Sequence, residues 1–307
     1  MFGMQVLDIA VGMIFIYLML SFVCTAGTEL VASILRLRAK TFAEGISKLL
    51  HDDKIEKEFF EHPLIKGIGV KRPTFCSAET FTLTVANILS GHGLPRTVPE
   101  VRNLIDEKLG DKSPELRKVL LILVDEAGED VQKLQKSFNA WFDNAMEAVS
   151  AWYRAKAKIV TFFVALAIAV LANADTIQIT RSLANDPALR QALVAQATEM
   201  AKQDSVQVPH GETKASKRIE ETLGDLKDLG IPLGWKTAPT TQGDWLSKIT
   251  GLTLTMLAMT LGAPFWYDLL KKVVSIRSAR IAAASIAQPS PPASKESANS
   301  QVQRNEL

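Results

Sequence analysis

Three stretches of this chain are strongly apolar, and charge bounds each of them. In hydrocarbon every backbone N–H and C=O needs a partner within the protein, so such stretches must be helices or closed barrels. The first, residues 7–35, reads LDIAVGMIFIYLMLSFVCTAGTELVASIL. A helical span needs about 20 apolar residues for a hydrocarbon core of about 30 Å. Asp8 and Glu29 stand 21 positions apart, about 31 Å along a helix, so one acid can sit at each interface. No basic residue precedes the run, and it is too long for a signal peptide, so residues 1–35 read as a retained first transmembrane helix. The second stretch, 158–175, is short, and Lys156 and Lys158 can extend it by snorkelling. The third, 248–268, reads KITGLTLTMLAMTLGAPFWYD.

Basic flanks set an expected orientation. Arg36, Arg38 and Lys40 follow the first stretch; Arg154, Lys156 and Lys158 precede the second; Lys271, Lys272, Arg277 and Arg280 follow the third. The positive-inside rule then expects a multi-pass protein of a bacterial inner membrane. Its N-terminus lies outside, 36–157 in the cytoplasm, 176–247 outside and the C-terminus inside.

Residues 36–157 read as a helical cytoplasmic domain. Thr97 and Glu100 fit a capping box, and Ser113 with Pro114 and Glu115 marks a helix start. PTFCSAETFTLTVANIL reads as helix up to Ser90-Gly91. Val131, Phe138, Ala145 and Trp152 lie seven apart, as do Leu134, Trp141 and Ala148, an a/d pattern on one helix expected from about 130 to about 173. Packing of that stripe within its own domain is favoured over a coiled coil between chains. Within 176–247, Asp186 before Pro187 starts one amphipathic helix and SKRIEETLGDLKDLG makes a second, a small helical cap. The tail 288–307 is rich in Ser, Pro, Ala and Gln and is expected to be disordered.

The fold class expected is therefore all-α, with three transmembrane helices. Gly251, Thr255, Ala258 and Gly262 put small residues on one face of the third, as close helix packing in lipid requires. Pro264 should kink or end it. Trp245, Trp266 and Tyr267 read as interface anchors together with Lys271 and Lys272, and 269–287 as a basic amphipathic helix lying along the inner leaflet.

Little points to chemistry. The histidines, His51, His62, His92 and His210, form no H-E-x-x-H and no Cys/His cluster, and HDDKIEKE reads as a solvated helix start rather than a metal site. KGIGVKR is too poor in glycine for a phosphate loop. No cofactor or metal is expected, and a net charge of +2 gives no reason to invoke nucleic acid. Carboxylates at membrane depth are costly and often functional, so Asp8, Glu29 and Asp268 are the candidate sites. The bland alternative places each at an interface, hydrated or paired, Asp268 with Lys271 or Lys272. The sharper one sets Glu29 in a polar seam with Ser21, Thr25 and Thr28.

FFEHPLIKGIG (59–69), AWFDNAMEAVSAWYRAK (140–156), ANADTIQITRSLANDPALRQALVAQA (172–197), GIPLGW (230–235) and LGAPFWYDLLKKVV (261–274) resemble a family of bacterial three-span membrane proteins. The resemblance runs from the first span to about residue 277. It implies the three-span layout and carries no activity. It also implies that neither Cys76 nor the Tyr267 hydroxyl is essential, since the family pattern has P-S-Y-I-P-x-x-T-F around 73–81 and Phe at 267. The role expected is structural rather than enzymatic: a scaffold or accessory subunit whose partners are the bilayer and another protein or a second copy. The alternative is a subunit of an oligomeric channel or transporter with Glu29 in its seam.

Overall fold

The computed structural model describes residues 2–67, 73–91, 95–110, 113–203, 212–235 and 241–286. His92, His210 and the tail 288–307 lie outside them. The described residues are helical, with no strand among them. The helices are α1 (Phe2–Ile34), α2 (Leu37–Leu50), α3 (Asp53–Glu61), α4 (Pro63–Lys66), α5 (Ala78–Ser90), α6 (Val98–Leu109) and α7 (Pro114–Ala127). They continue with α8 (Val131–Leu171), α9 (Thr176–Asn185), α10 (Pro187–Ala201), α11 (Glu212–Asp228), α12 (Gln242–Thr260) and α13 (Ala263–Ile286). Among the described residues α1 alone is long and apolar enough to cross a membrane as one helix. The pairs α8–α9 and α12–α13 meet that measure only as bent pairs, at 50° and 95°. Ile14, Phe15 and Ile16 are consecutive and buried, so α1 is covered by protein on every side at that level.

The chain divides into two compact units: Cys24–Ala167 with His210–Glu220, and Met1–Val23, Ile168–Pro209 and Glu221–Leu307. The first is a helical bundle around a core in which Phe81 stacks on Phe142 at 4.3 Å and meets Phe59 at 5.5 Å. Side-chain caps define its helix starts. Asp52 Oδ1 accepts from Lys54 N and Ile55 N, so the acids beside His51 begin α3, as the sequence suggests. Thr97 caps α6, but Glu100 reaches back to Arg96 N rather than to Thr97 N, so the box closes one residue early. Ser113 makes no cap bond at all; its buried hydroxyl donates to Leu50 O at 3.1 Å and ties α7 to the end of α2.

Helix α8 is continuous for 41 residues, about 61 Å. The seven-residue stripe does not stay on its buried face. Leu134, Phe142 and Val149 are buried, while Ala148 and Trp152 are exposed. A straight helix drifts about 20° per heptad, which carries later heptad positions off the packed side. Gly45 on α2 lets α8 approach: a Cβ there would stand 2.4 Å from Val149 Cγ2.

Cys76 lies in this core, 2% exposed. Burial pushes its thiol up to about 11 from an ordinary 9.0. At pH 8 a two-unit shift leaves about 100-fold less thiolate. With Cys24→Ala leaving one thiol, Cys76 is expected to react with iodoacetamide at least about 100-fold more slowly than free cysteine. Its rate should still be climbing between pH 9 and 11. A plateau near pH 9 would show the thiol to be solvated.

Candidate functional site: a polar node between two helix breaks

The breaks belong to the unit containing α9, α10, α12 and α13, and both are built from local sequence. Asn173 adopts φ 48°. Ala174 N donates to Ala169 O at 3.0 Å and Asn173 N to Val170 O at 3.2 Å, so α8 ends in a left-handed cap with asparagine in the special position. Two residues later Asp175 Oδ1 accepts from Ile177 N at 2.9 Å and Gln178 N at 3.3 Å and starts α9. A C-cap thus runs straight into an N-cap. The sequence reading ends the second span at 175 and misses α9. The signal was present, since D-T-I-Q carries an N-cap acid with Gln three residues on.

The second break is Gly262. Its φ of 84° admits glycine readily and most other residues poorly. Pro264 then occupies the first turn of α13, where its missing N–H costs nothing. Trp266 folds back so that Nε1 donates to Ala258 O at 2.7 Å, satisfying a carbonyl at the end of α12. Gly262 therefore makes the turn, while Gly251 and Thr255 face Asp175 and Thr176 at the start of α9. That face packs on α9. Trp266 and Tyr267 are buried inside the unit rather than set on its surface. Trp266 lies 4.7 Å from the Tyr17 ring, and the Tyr267 hydroxyl donates to Gln203 O. Trp245 is exposed, Lys272 is exposed, and Lys271 Nζ sits over Tyr267 at 5.0 Å.

Between the breaks lies a closed polar network. Lys248 Nζ stands 3.3 Å from Asp175 Oδ2, with side-chain exposures of only 11% and 7%, and donates to Gln178 Oε1 at 3.1 Å. It also lies 5.5 Å from the Trp235 ring, whose Nε1 donates to Val170 O at 2.9 Å. Next to the pair, Thr176 Oγ1 bonds both Tyr17 OH at 2.9 Å and Thr255 Oγ1 at 2.8 Å. Asn173 Nδ2 donates to Gly234 O at 2.9 Å, and its buried Oδ1 finds no donor among the described residues. Nothing in the sequence singles out Lys248 as more than a flank of the third stretch, because its partner is 73 residues away.

The expected acids lie elsewhere. Asp8 Oδ1 accepts from Arg277 Nε at 2.7 Å. Glu29 Oε2 accepts from Arg218 Nη2 on α11 at 3.4 Å. Asp268 is exposed and makes no ion pair with a described residue, so neither Lys271 nor Lys272 holds it. Asp8 was expected outside with Arg277 inside, and Glu29 inside with Arg218 outside; the structure brings each pair into contact. The 95° turn at Gly262 lets α13 carry Arg277 to Asp8 and Trp266 to Tyr17. Charge counting assumes that each apolar stretch crosses. Doubly substituted Asp8→Cys/Arg277→Cys protein is expected to form an intramolecular disulfide under mild oxidant, read by gel shift, whereas Asp268→Cys/Asp8→Cys should not. Equal yields in the two would contradict this packing.

Among the described residues no group of three or more His, Cys, Asp and Glu side chains is placed to hold a metal ion. No family model matches the chain, and no curated protein or solved structure matches it.

Proposed function

We propose that this chain is a membrane-integral interaction protein, a scaffold or accessory subunit whose helical bundle meets the partner. The observation that carries it lies on α8. Up to Lys158 the outward residues include Lys133, Lys136, Asp143, Glu147, Arg154 and Lys158 itself. Beyond it they are Ile159, Phe162, Phe163, Leu166, Val170 and Leu171. One continuous helix therefore changes its outward chemistry from water-compatible to hydrocarbon-compatible within a single residue step. Leu246, Ile249, Leu254 and Leu257 repeat the apolar dress on α12, and Leu261 continues it just past the helix end. Exposed apolar surface of this extent belongs against lipid or another protein.

In this reading α1, α8–α9 and α12–α13 are the three segments at membrane depth, the last turned back at Gly262. The N-terminus is outside a bacterial inner membrane and 36–157 in the cytoplasm, as Arg36, Arg38, Lys40, Arg154, Lys156 and Lys158 favour. The end of α13 joins the Asp8 side. A second reading, a subunit of a channel or transporter, draws on a different observation. Tyr17 is near the middle of the Asp8–Glu29 run, and it touches the node where both broken helices meet. Broken helices at mid-depth are how several transporters build their sites. Gentle detergent extraction followed by native mass measurement separates the two. A hetero-complex supports the scaffold, a symmetric homo-oligomer supports the channel, and a lone chain counts against both.

A further inference from the structure

Helix α8 carries one ridge on which two cations run straight into an apolar track. Arg154, Lys158, Phe162 and Leu166 follow one another four residues apart, so each stands one turn beyond the last. All four are exposed. We propose that Arg154 and Lys158 hold the phosphate of one anionic phospholipid, whose acyl chain lies along Phe162 and Leu166.

The two cations are open to such a partner. Lys156, on the side of α8 turned to α2, is taken by Glu44 Oε2 at 2.6 Å. From α2, Arg38 lies over the Tyr153 ring at 5.4 Å and Lys48 over the Trp152 ring at 4.2 Å. The side chains of Arg154 and Lys158, by contrast, make no ion pair or hydrogen bond with a described residue. Between Glu147 and Asp175 the chain has no acid. Glu147 precedes Arg154 by two turns, about 10 Å further from the apolar track. A helix face that is merely solvated carries both signs, as the earlier part of α8 does with Lys133, Lys136, Asp143 and Glu147. This stretch carries one sign only.

The order of residues picks an amphiphile. Arginine grips two phosphate oxygens through paired N–H groups, and lysine adds a point charge beside it. From Lys158 to Leu166 the ridge runs about 12 Å, the upper part of an acyl chain in one leaflet of a core about 30 Å thick. A free phosphate would use the cations and leave the apolar track bare. A zwitterionic headgroup brings its own ammonium to two cations, so a net negative headgroup is favoured, as juxtamembrane Lys and Arg favour anionic lipid in general. The assignment rests on α8 entering the bilayer at Ile159, as proposed above.

The test reads both steps separately. The full chain with Phe162→Trp, beside the unsubstituted chain, is placed in phosphatidylcholine nanodiscs. The discs contain an equal small share of either brominated phosphatidylglycerol or brominated phosphatidylcholine, with the bromines on the upper acyl chain. Bromine quenches indole on contact, and the difference between the two proteins isolates the added ring from the 5 native tryptophans. The expected result is at least about threefold more quenching by the anionic lipid, lost in Arg154→Ala/Lys158→Ala and kept in Lys133→Ala/Lys136→Ala. Equal quenching by the two lipids overturns the proposal while leaving α8 in the bilayer. No quenching by either removes the membrane reading and the proposal with it. Loss of the excess on adding soluble glycerol phosphate makes a free phosphate the occupant and overturns the lipid.

Discussion

Lys248→Met is expected to lower the free energy of unfolding by about 3–5 kcal/mol, the usual cost of leaving one partner of a buried ion pair alone. The pair qualifies by its geometry. Both side chains are nearly closed to solvent, and Nζ and Oδ2 are 3.3 Å apart. With the ammonium gone, Asp175 keeps only the amides of Ile177 and Gln178. Those stabilise the carboxylate as an N-cap, an effect of about 1 kcal/mol, too little to hold an uncompensated charge. Adding Asp175→Asn should recover most of the loss, since asparagine still caps α9 and the charge is removed with its partner. The check is SDS- or urea-induced unfolding in mild micelles followed by far-UV circular dichroism, with all four proteins of the cycle. A single-mutant loss below about 0.5 kcal/mol with no recovery in the double would mean that the pair behaves like a surface one.

Such a pair gives little net stability compared with well-packed carbon, so its presence needs another reason. One is registry. Lys248 binds α12 simultaneously to Asp175 and Gln178 at the start of α9, while Thr255, about two turns further along α12, binds Thr176. An apolar contact would tolerate sliding of α12 on α9; this set of bonds does not. The arrangement holds both breaks in one geometry, which either a rigid scaffold or a two-state gate requires.

Most of the helices were legible because their signals are local. Asp186 before Pro187 caps α10 through Ala188 N and Leu189 N, as those two residue types demand. The long helix through 131–171 follows from an uninterrupted run without glycine or proline. The break at Asn173 was harder to read, because N-A-D at the end of an apolar run looks like the edge of a membrane. The left-handed φ of Asn173 ends α8, and the Asp175 cap two residues on starts the next helix. The candidate acids were found and their partners were not. Asp8 and Arg277 are separated by 269 residues, and no local pattern encodes such a pairing. Trp266 and Tyr267 illustrate the same limit. Aromatics at the end of an apolar stretch suit a lipid interface and a protein core equally well. The Gly262 turn decides between them by folding both rings inward.

Gly251→Ala is expected to destabilise by about 2–4 kcal/mol, against its helix propensity. In an exposed helix interior, alanine for glycine gains about 1 kcal/mol. Gly251 sits inside α12, so propensity alone predicts a more stable protein. Sterics predict the opposite, because a Cβ there would lie 1.8 Å from Asp175 Oδ1 and 2.6 Å from its Cγ. A carboxylate at the end of a free side chain could swing aside. This one cannot without releasing Ile177 N and Gln178 N, which it caps, and Lys248, which it neutralises. The substitution therefore combines a lost cap of about 1 kcal/mol with a disturbed buried ion pair. The decisive companion is Gly251→Ala in the Asp175→Ala background, where the obstructing carboxylate is absent. There the propensity gain should reappear and the sign of the effect should reverse. If Gly251→Ala stabilises the native chain as well, α12 does not approach Asp175 as closely as the described packing requires, and the registry argument falls with it.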